Sequence, residues 1–200
     1  MGIIEDYVIQ ITIGTADGNG LIVGNYLITA GHVIHMGGNN DIFSFRFKGK
    51  EYSLNKNNYI EYFYCPQEEC AADKYDIYVY DLKGIIENLD SPLTLSKENP
   101  TSGDILQSIS CKERAIIPEN RNLPIGRKVF NISANVFEIE GNYFRCQMEE
   151  PLHPEQSGSP VVKGNVVMGL LYGGINHDKY HGKECLFQSA KSIIELLNKK

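Results

Sequence analysis

The chain has little positive charge and no long apolar run, and each shortage excludes a class of protein. Its 200 residues carry 19 Lys and Arg against 25 Asp and Glu, which gives a formal net charge of -6. Nucleic-acid-binding proteins usually have a basic excess that follows the phosphates, so no nucleic-acid partner is expected. No apolar run is as long as a membrane span, so we expect no membrane partner either.

Cysteines are few and irregularly spaced. The five cysteines are odd in number, and only Cys65 and Cys70 lie close together. This spacing predicts neither a disulfide framework nor a zinc site, because zinc would need two close pairs. We therefore expect reduced and mostly buried thiols, with no metal and no other cofactor.

The amino terminus has no export signal. Glu5 and Asp6 stand where a signal peptide carries positive charge. The Met-Gly start suits myristoylation, but that motif also needs Ser or Thr at position 6. These features predict an intracellular, cytoplasmic protein.

The sequence is rich in strand signals. β-Branched and aromatic residues dominate a series of short segments, and the run from Asp17 to Gly20 is one of the turn signals between them. Many short strands with turns predict barrels or sandwiches. The segments are 7–14, 20–29, 41–48, 59–63 and 77–82, followed by 104–110, 128–140, 142–148, 165–173 and 185–189.

The segment 86–103 predicts a division of the chain into two β-domains. It is polar, contains Pro92 and Pro100, and has no clear hydrophobic periodicity. We interpret it as a linker between a domain at 1–85 and a domain at 104–200.

Helical periodicity occurs at the carboxyl end. Ile193, Leu196 and Leu197 lie at i, i+3 and i+4, so they share one face of a helix. The pattern predicts a helix over 190–200, with Ser189 or Ser192 as its cap.

Three local motifs together suggest acyl-transfer chemistry, which needs a hydroxyl, an imidazole and a carboxylate. His32 follows small residues in LITAGHVIH (27–35), Asp76 begins an apolar strand in KYDIYVYDL, and Ser157 lies in the turn PEQSGSPVV. Each motif alone is also typical of a structural histidine, a strand-edge acid or a generic turn. Their joint order therefore carries the functional argument.

In that order, TAGH, YDIYVYDL, QSGSPVV and the Gly-rich strand MGLLYGG resemble the trypsin-like serine proteases of the chymotrypsin fold. The local sequence is most similar to bacterial Deg/HtrA-type proteases and glutamyl endopeptidases. The resemblance implies an all-β fold of two Greek-key antiparallel β-barrels, the first carrying His and Asp and the second carrying Ser, with a C-terminal α-helix. It also implies a serine endopeptidase, a hydrolase that cleaves protein or peptide substrates through an acyl-enzyme.

The resemblance implies a catalytic triad of His32 as general base, Asp76 as its orienting carboxylate and Ser157 as nucleophile. The backbone N–H groups of Glu155 and Ser157 would form the oxyanion hole. Ser159 would be the small residue that the turn needs after the nucleophile.

Other residues compete for two of these roles. Asp73 and Asp81 are rival acids, but only Asp76 directly precedes the apolar strand. His35 is the rival imidazole, and it lies in a polar loop.

Two residues beside the nucleophile depart from the family pattern. Glu155 stands where the family usually has glycine, and if that peptide requires a positive φ, glutamate costs about 1–2 kcal/mol. We therefore expect restricted or partner-gated activity, with a regulatory protein as a further partner. Gln156 lacks the charge that pairs with a freshly cut amino terminus in digestive relatives, so activation of that kind is not expected. The alternatives are an inactive, peptide-binding pseudoprotease and an unrelated β-barrel binding module.

The resemblance also implies a substrate pocket, which we expect to be mostly apolar and to accept an uncharged apolar side chain before the scissile bond. Glu150 would permit basic side chains if the alignment contains a one-residue gap. Tyr172 replaces a serine that supports the catalytic acid in the family. His177 and His181, in the predicted rim loop 174–184, are interpreted as solvated. The predicted pocket residues are Leu152, His153, Leu171, Tyr172, Gly173, Gly174 and Cys185.

Overall fold

The computed structural model describes residues 3–63, 76–114, 124–175 and 183–198. Strands make up most of the regular structure, as the sequence predicts. Neither described helix is long and apolar enough to cross a membrane.

The amino-terminal half is an antiparallel sheet of seven strands that curves into a half-barrel, with the order β5-β4-β1-β2-β3-β7-β6. A 3-10 helix (Ile3–Tyr7) precedes the sheet, and the short helix α1 (Gly31–His35) follows its third strand. The strands are β1 (Val8–Ile13), β2 (Ala16–Val23), β3 (Tyr26–Thr29), β4 (Ile42–Phe47), β5 (Lys50–Asn55), β6 (Glu61–Phe63) and β7 (Ile77–Asp81).

The carboxyl-terminal half contains a closed barrel of six strands, because β12 pairs with both β9 and β13. The short strand β8 extends this sheet by pairing in parallel with β13. Helix α2 (Ala190–Leu197) ends the described chain. The strands are β8 (Thr94–Leu95), β9 (Ile105–Arg114), β10 (Pro124–Glu140), β11 (Tyr143–Met148), β12 (Pro160–Lys163), β13 (Val166–Ile175) and β14 (Glu184–Ser189).

Alternation along β4 illustrates how the sequence forms these sheets. Phe43, Phe45 and Phe47 are buried, whereas Ser44 and Arg46 between them are partly exposed. Successive strand residues point to opposite faces of a sheet, so this pattern places all three phenyl rings in the core. The predicted all-β fold of two barrels with a terminal helix is confirmed, with a closed second barrel and a half-barrel as the first.

The two halves share buried apolar contacts. Ile109 and Val162 of the second half belong to the same core cluster as the strands of the first half. Another cluster joins α2 to both halves through Ile28, Val79 and Leu170. These contacts surround the junction where the candidate site lies, and the boundaries of the two domains stay a prediction.

The sequence prediction of a turn from Asp17 to Gly20 is wrong. The turn lies at Gly14 and Thr15, and the predicted turn residues belong to β2. Gly18 is required there for space, because a Cβ atom on it would lie 2.6 Å from the methyl groups of Val33. Glycine was therefore a sign of close packing rather than of a chain reversal.

Helix α2 begins where the sequence predicts, but its side-chain cap is absent. Ser189 is the N-cap residue by backbone conformation and makes no capping hydrogen bond through its side chain. Its hydroxyl donates instead to the side chain of Asn99. The Ser192 hydroxyl donates to the Ser189 carbonyl at 2.7 Å.

Candidate active site

His32 and Asp76 are brought together by the pairing of β3 with β7, in which Thr29 lies opposite Tyr78. The Nδ1 atom of His32 is 2.5 Å from Oδ2 of Asp76, and the His32 backbone N–H donates to Oδ1 at 2.8 Å. An ionised carboxylate can only accept hydrogen bonds, so Nδ1 carries the ring proton and Nε2 is left as the acceptor of the neutral ring. Asp76 is buried, and these two bonds hold it against a single partner.

The rival residues lie elsewhere or outside the described chain. His35 shares a hydrogen bond of 2.9 Å between Nε2 and the Tyr78 hydroxyl. Asp81 is exposed at the far end of β7 and accepts from the Lys83 N–H at 2.8 Å. Asp73 lies outside the described residues. Of the described candidates, Asp76 is the acid that contacts His32.

Two residues of the second barrel contact this pair. The side-chain oxygen of Gln188, on β14, accepts a hydrogen bond of 3.1 Å from the Asp76 N–H. The Tyr172 ring meets the His32 ring edge to face, with centroids 6.2 Å apart and planes at 76°. Gln188 was not predicted as a site residue, although a polar residue inside the apolar strand CLFQS was a usable signal.

The turn that carries Ser157 is held between the two barrels. The Ser157 carbonyl accepts from the Asn19 N–H on β2 at 2.7 Å, and the Gly158 N–H donates to the Leu171 carbonyl on β13 at 2.9 Å. Gly158 has φ +81°, and a Cβ atom on it would lie 2.1 Å from the Asn19 carbonyl oxygen. Only glycine fits this position, on grounds of both conformation and space.

The two serines of this turn differ in exposure. Ser157 is half-buried, whereas Ser159 is 0% exposed and its hydroxyl has no hydrogen-bond partner among the described residues. Of the two, only Ser157 reaches the surface.

Asn19 connects the turn to both barrels. Its side-chain NH₂ donates to the Glu155 carbonyl at 2.8 Å, and its side-chain oxygen accepts from the Cys111 N–H at 2.7 Å. Its own carbonyl accepts from the Thr29 hydroxyl at 2.7 Å. The sequence alone predicts a turn at Asn19, because local composition does not show that this residue is buried within a strand.

Gln156 anchors the same turn from inside. Residues Pro154–Gln156 form a 3-10 helix. The side-chain oxygen of Gln156 accepts from the His153 N–H at 2.7 Å, and its NH₂ group donates to the Ser110 hydroxyl at 2.9 Å. Because the side chain is buried, an uncharged amide satisfies these neighbours without a counter-ion.

Glu155 adopts this conformation without backbone strain. Among the described residues other than glycine, only Lys48 and Asn88 have positive φ. The cost considered for a positive φ at Glu155 therefore does not arise here. The Glu155 carboxylate pairs with Lys112 Nζ on β9 at 2.6 Å.

A cavity of about 310 Å³ lies beside the turn. Its lining includes Lys112, Phe130, His153 and Glu155. His153 was predicted as a pocket residue, and the structure places it in this cavity.

The other predicted pocket residues divide into two groups. Leu171 and Cys185 are fully buried in the core of the second barrel, so their side chains are closed to a substrate in this conformation. Burial raises the pKa of the Cys185 thiol to about 12, and the neighbouring Glu184 carboxylate adds to the shift. Leu152, Tyr172 and Gly173 are partly exposed.

Four further residues were considered for the pocket or its rim. Gly174 lies on β13 opposite Cys185. Glu150 is exposed. His177 and His181 lie outside the described residues.

Solved structures that resemble this chain include proteases of bacterial and viral origin. The Rv3671c protease of M. tuberculosis, in an inactive form, matches with a TM-score of 0.64 and 14% identity over 98% of this chain and 89% of that one. A human pathogenic astrovirus serine protease matches with a TM-score of 0.57 and 18% identity over 92% and 90%. Tobacco etch virus protease with bound product matches with a TM-score of 0.67 and 13% identity over 98% and 79%.

The comparisons establish the fold. No protein-family model matches this sequence, and no curated protein matches it by sequence. The structural matches confirm the predicted resemblance to chymotrypsin-fold serine proteases at the level of fold. The nearer likeness to Deg/HtrA-type proteases and glutamyl endopeptidases stays a prediction.

Proposed function

We propose that this chymotrypsin-fold protein is a serine endopeptidase that acts through His32, Asp76 and Ser157. The observation that carries the proposal is the buried Asp76 carboxylate, which accepts from both the ring and the backbone of His32. This arrangement fixes the ring orientation and the tautomer in which Nε2 can accept a proton, which a general base requires.

In this proposal, Nε2 of His32 takes the proton of the Ser157 hydroxyl as its oxygen attacks the peptide carbonyl. The resulting imidazolium is stabilised by Asp76 and gives the proton to the leaving amine as the C–N bond breaks. Water then attacks the acyl-enzyme as His32 takes its proton, and His32 gives that proton to the Ser157 oxygen as the carboxylic acid leaves.

Ser157 is preferred to Ser159 as the nucleophile because of its exposure. Ser159 has no exposed surface, whereas Ser157 lies at the end of a turn that projects between the barrels. The backbone N–H groups of Glu155 and Ser157 are the proposed oxyanion donors, since they flank the nucleophile.

The proposed substrate is a polypeptide. Leu152, Tyr172 and Gly173 are partly exposed beside the turn and would accept an uncharged apolar side chain before the scissile bond. A cytoplasmic location, a narrow specificity and a regulatory partner stay predictions.

A second candidate is a pseudoprotease that binds peptides without cleaving them. The 3-10 helix at Pro154–Gln156 favours this candidate, because its hydrogen-bond pattern engages backbone N–H groups beside the nucleophile. A resting enzyme and a permanently inactive one would share this conformation, so labelling of the serine must separate them.

A fluorophosphonate probe tests the proposal. The protease predicts covalent labelling of the intact chain that Ser157→Ala abolishes and that the matched control Ser159→Ala retains. Asp76→Asn should slow labelling by orders of magnitude, because the imidazole loses the acceptor that fixes its tautomer. Absence of labelling in a folded protein would favour the pseudoprotease.

A further inference from the structure

The cavity beside the turn is lined by a positively charged side chain that forms an ion pair with a residue of the turn. Lys112 extends from β9 and contacts the Glu155 carboxylate at 2.6 Å. The phenyl ring of Phe130, which is 44% exposed, lines the same cavity. A positive charge beside exposed apolar surface is suited to a carboxylate carried by a peptide.

The conformation of the turn is relevant to catalysis. A 3-10 helix pairs each N–H with the carbonyl three residues earlier, and the Gln156 N–H donates to the His153 carbonyl at 3.0 Å. By the same three-residue spacing, the 3-10 helix Pro154–Gln156 directs the Ser157 N–H towards the Pro154 carbonyl. An oxyanion needs that same N–H, so the Pro154–Glu155 peptide must rotate before the hole can form.

The ion pair of Glu155 with Lys112 opposes that rotation. Lys112 holds the Glu155 carboxylate, whereas Asn19 donates at 2.8 Å to the Glu155 carbonyl, which belongs to the following peptide and does not take part in the rotation. The Asn19 side chain is buried, whereas the Lys112 and Glu155 side chains are each 32% exposed. An ion pair of that exposure is weak, so another carboxylate can replace Glu155 on Lys112.

The position of the cavity indicates which part of a peptide would reach Lys112. The turn contacts β13 on one side, where the partly exposed Tyr172 and Gly173 lie, and β9 on the other. A peptide whose apolar side chain lies at Tyr172 and that crosses Ser157 would place its following residues in the cavity.

We propose that Lys112 and this cavity bind an acidic side chain located after the scissile bond, and that this carboxylate releases the turn by displacing Glu155. The proposal rests on the proposed protease function and names its substrate class: peptides with Asp or Glu on the carboxyl side of the cleavage site. Acidic substrates would thereby form the oxyanion hole that the resting turn lacks.

Binding can be measured independently of catalysis. N-acetyl-Phe-Glu-amide and N-acetyl-Phe-Gln-amide would be titrated into the full chain and followed by NMR chemical shifts. The Glu peptide should bind up to about fivefold more tightly, as for an exposed ion pair. Lys112→Met should remove the difference, and Lys112→Arg should retain it. Equal binding of the two peptides to the wild-type chain would overturn the proposal.

Release of the turn is measured by the rate of fluorophosphonate labelling. Both Glu155→Gln and Lys112→Met should label faster than the wild type, by up to about fivefold. Glutamate α-amide, which lacks the residue before the scissile bond and so leaves Ser157 open to the probe, should accelerate labelling of the wild type and have no effect on Lys112→Met. Lys163→Met, which breaks the exposed pair with Asp104, is the matched control and should label at the wild-type rate.

The outcomes separate this proposal from the protease function. Labelling that depends on Ser157 but is insensitive to Glu155→Gln and to glutamate α-amide would refute the release mechanism and leave the protease intact. Tighter binding of the Glu peptide in a chain that is never labelled would support the carboxylate site and refute the protease.

Discussion

The side chain of Asn19 donates a hydrogen bond to the carbonyl of Glu155 at 2.8 Å, although 136 residues separate them in the sequence. Through this bond a strand of the first barrel holds the turn that carries Ser157 in the second. The relative position of the proposed nucleophile and the His32–Asp76 pair therefore depends on a part-buried polar contact between the barrels.

Replacement of Asn19 should damage both stability and activity. Asn19→Ala removes the donor to Glu155 and leaves the buried Cys111 N–H without its acceptor, at a cost of about 1–3 kcal/mol. Urea unfolding and the rate of Ser157 labelling would measure the two effects. The exposed Asn131→Ala is the control and should change neither by much. A labelling rate equal to the wild type in folded Asn19→Ala would argue against a role in holding the turn.

Two glycines with positive φ allow the cost of an unfavourable backbone conformation to be separated from the cost of a steric collision. Gly158 and Gly164 have φ of +81° and +59°, but only a Cβ atom on Gly158 would meet other atoms, at 2.1 Å from the Asn19 carbonyl. Gly164→Ala should cost about 1–2 kcal/mol of unfolding free energy. Gly158→Ala should cost more than about 2 kcal/mol, because it adds a collision with backbone, and should abolish labelling of Ser157. Equal losses in the two variants would contradict the close approach.

Gln188 is expected to act as a positioning residue for Asp76. Gln188→Met leaves the Asp76 N–H buried and unpaired, at a cost of about 1–3 kcal/mol, and frees the carboxylate to shift relative to His32. The pH profile of kcat/KM should therefore change along with its magnitude, whereas a purely structural loss would lower the amount of active protein alone. Gln188→Glu retains an acceptor oxygen and should recover part of the loss. An unchanged pH profile in Gln188→Met would refute the positioning role.

His35 should make the protein less stable as the pH falls. His35 is exposed as a residue, and partial desolvation of its ring lowers the pKa of the imidazole, an effect that the Asp76 carboxylate opposes and Lys56 reinforces. The unfolded chain then binds more protons than the folded one, so unfolding free energy decreases as the pH falls from about 6.5 through the lower pKa of the folded state. His35→Gln should flatten this decrease in urea-unfolding measurements.

A matched substitution controls for the loss of any imidazole. His153→Gln, which also removes an exposed imidazole, is measured beside it over the same pH range. A slope in His35→Gln that equals the wild type would show that His35 is not responsible.

The fold was predictable because its signals are local. Alternation in β4, with Phe43, Phe45 and Phe47 inward, directly specifies a strand with one buried face. The prediction of a turn at Gly18 was wrong, because glycine occurs both in turns and where a neighbouring side chain packs closely against the backbone. Only the neighbouring side chain of Val33, which is distant in the sequence, distinguishes the two.

The candidate site was predictable where it follows a motif. TAGH and KYDIYVYDL identify His32 and Asp76, and the structure brings them within 2.5 Å through the pairing of β3 with β7. The polar residue in the apolar strand CLFQS was a local signal for Gln188, but its contact with Asp76, 112 residues away, was not predictable from a local pattern. Leu171 and Cys185 were predicted to face the substrate, and their burial follows from the closure of the second barrel.

The sequence by itself determined the strands, the all-β class and the order of His, Asp and Ser, because these depend on alternation and short motifs. The tertiary structure alone decided that Asn19 joins the barrels, that Glu155 forms part of a 3-10 helix and that its carboxylate meets Lys112. The physical reason is that a hydrogen bond or an ion pair needs atoms within about 3 Å of each other. Only the folded chain sets such distances between residues that are far apart in sequence.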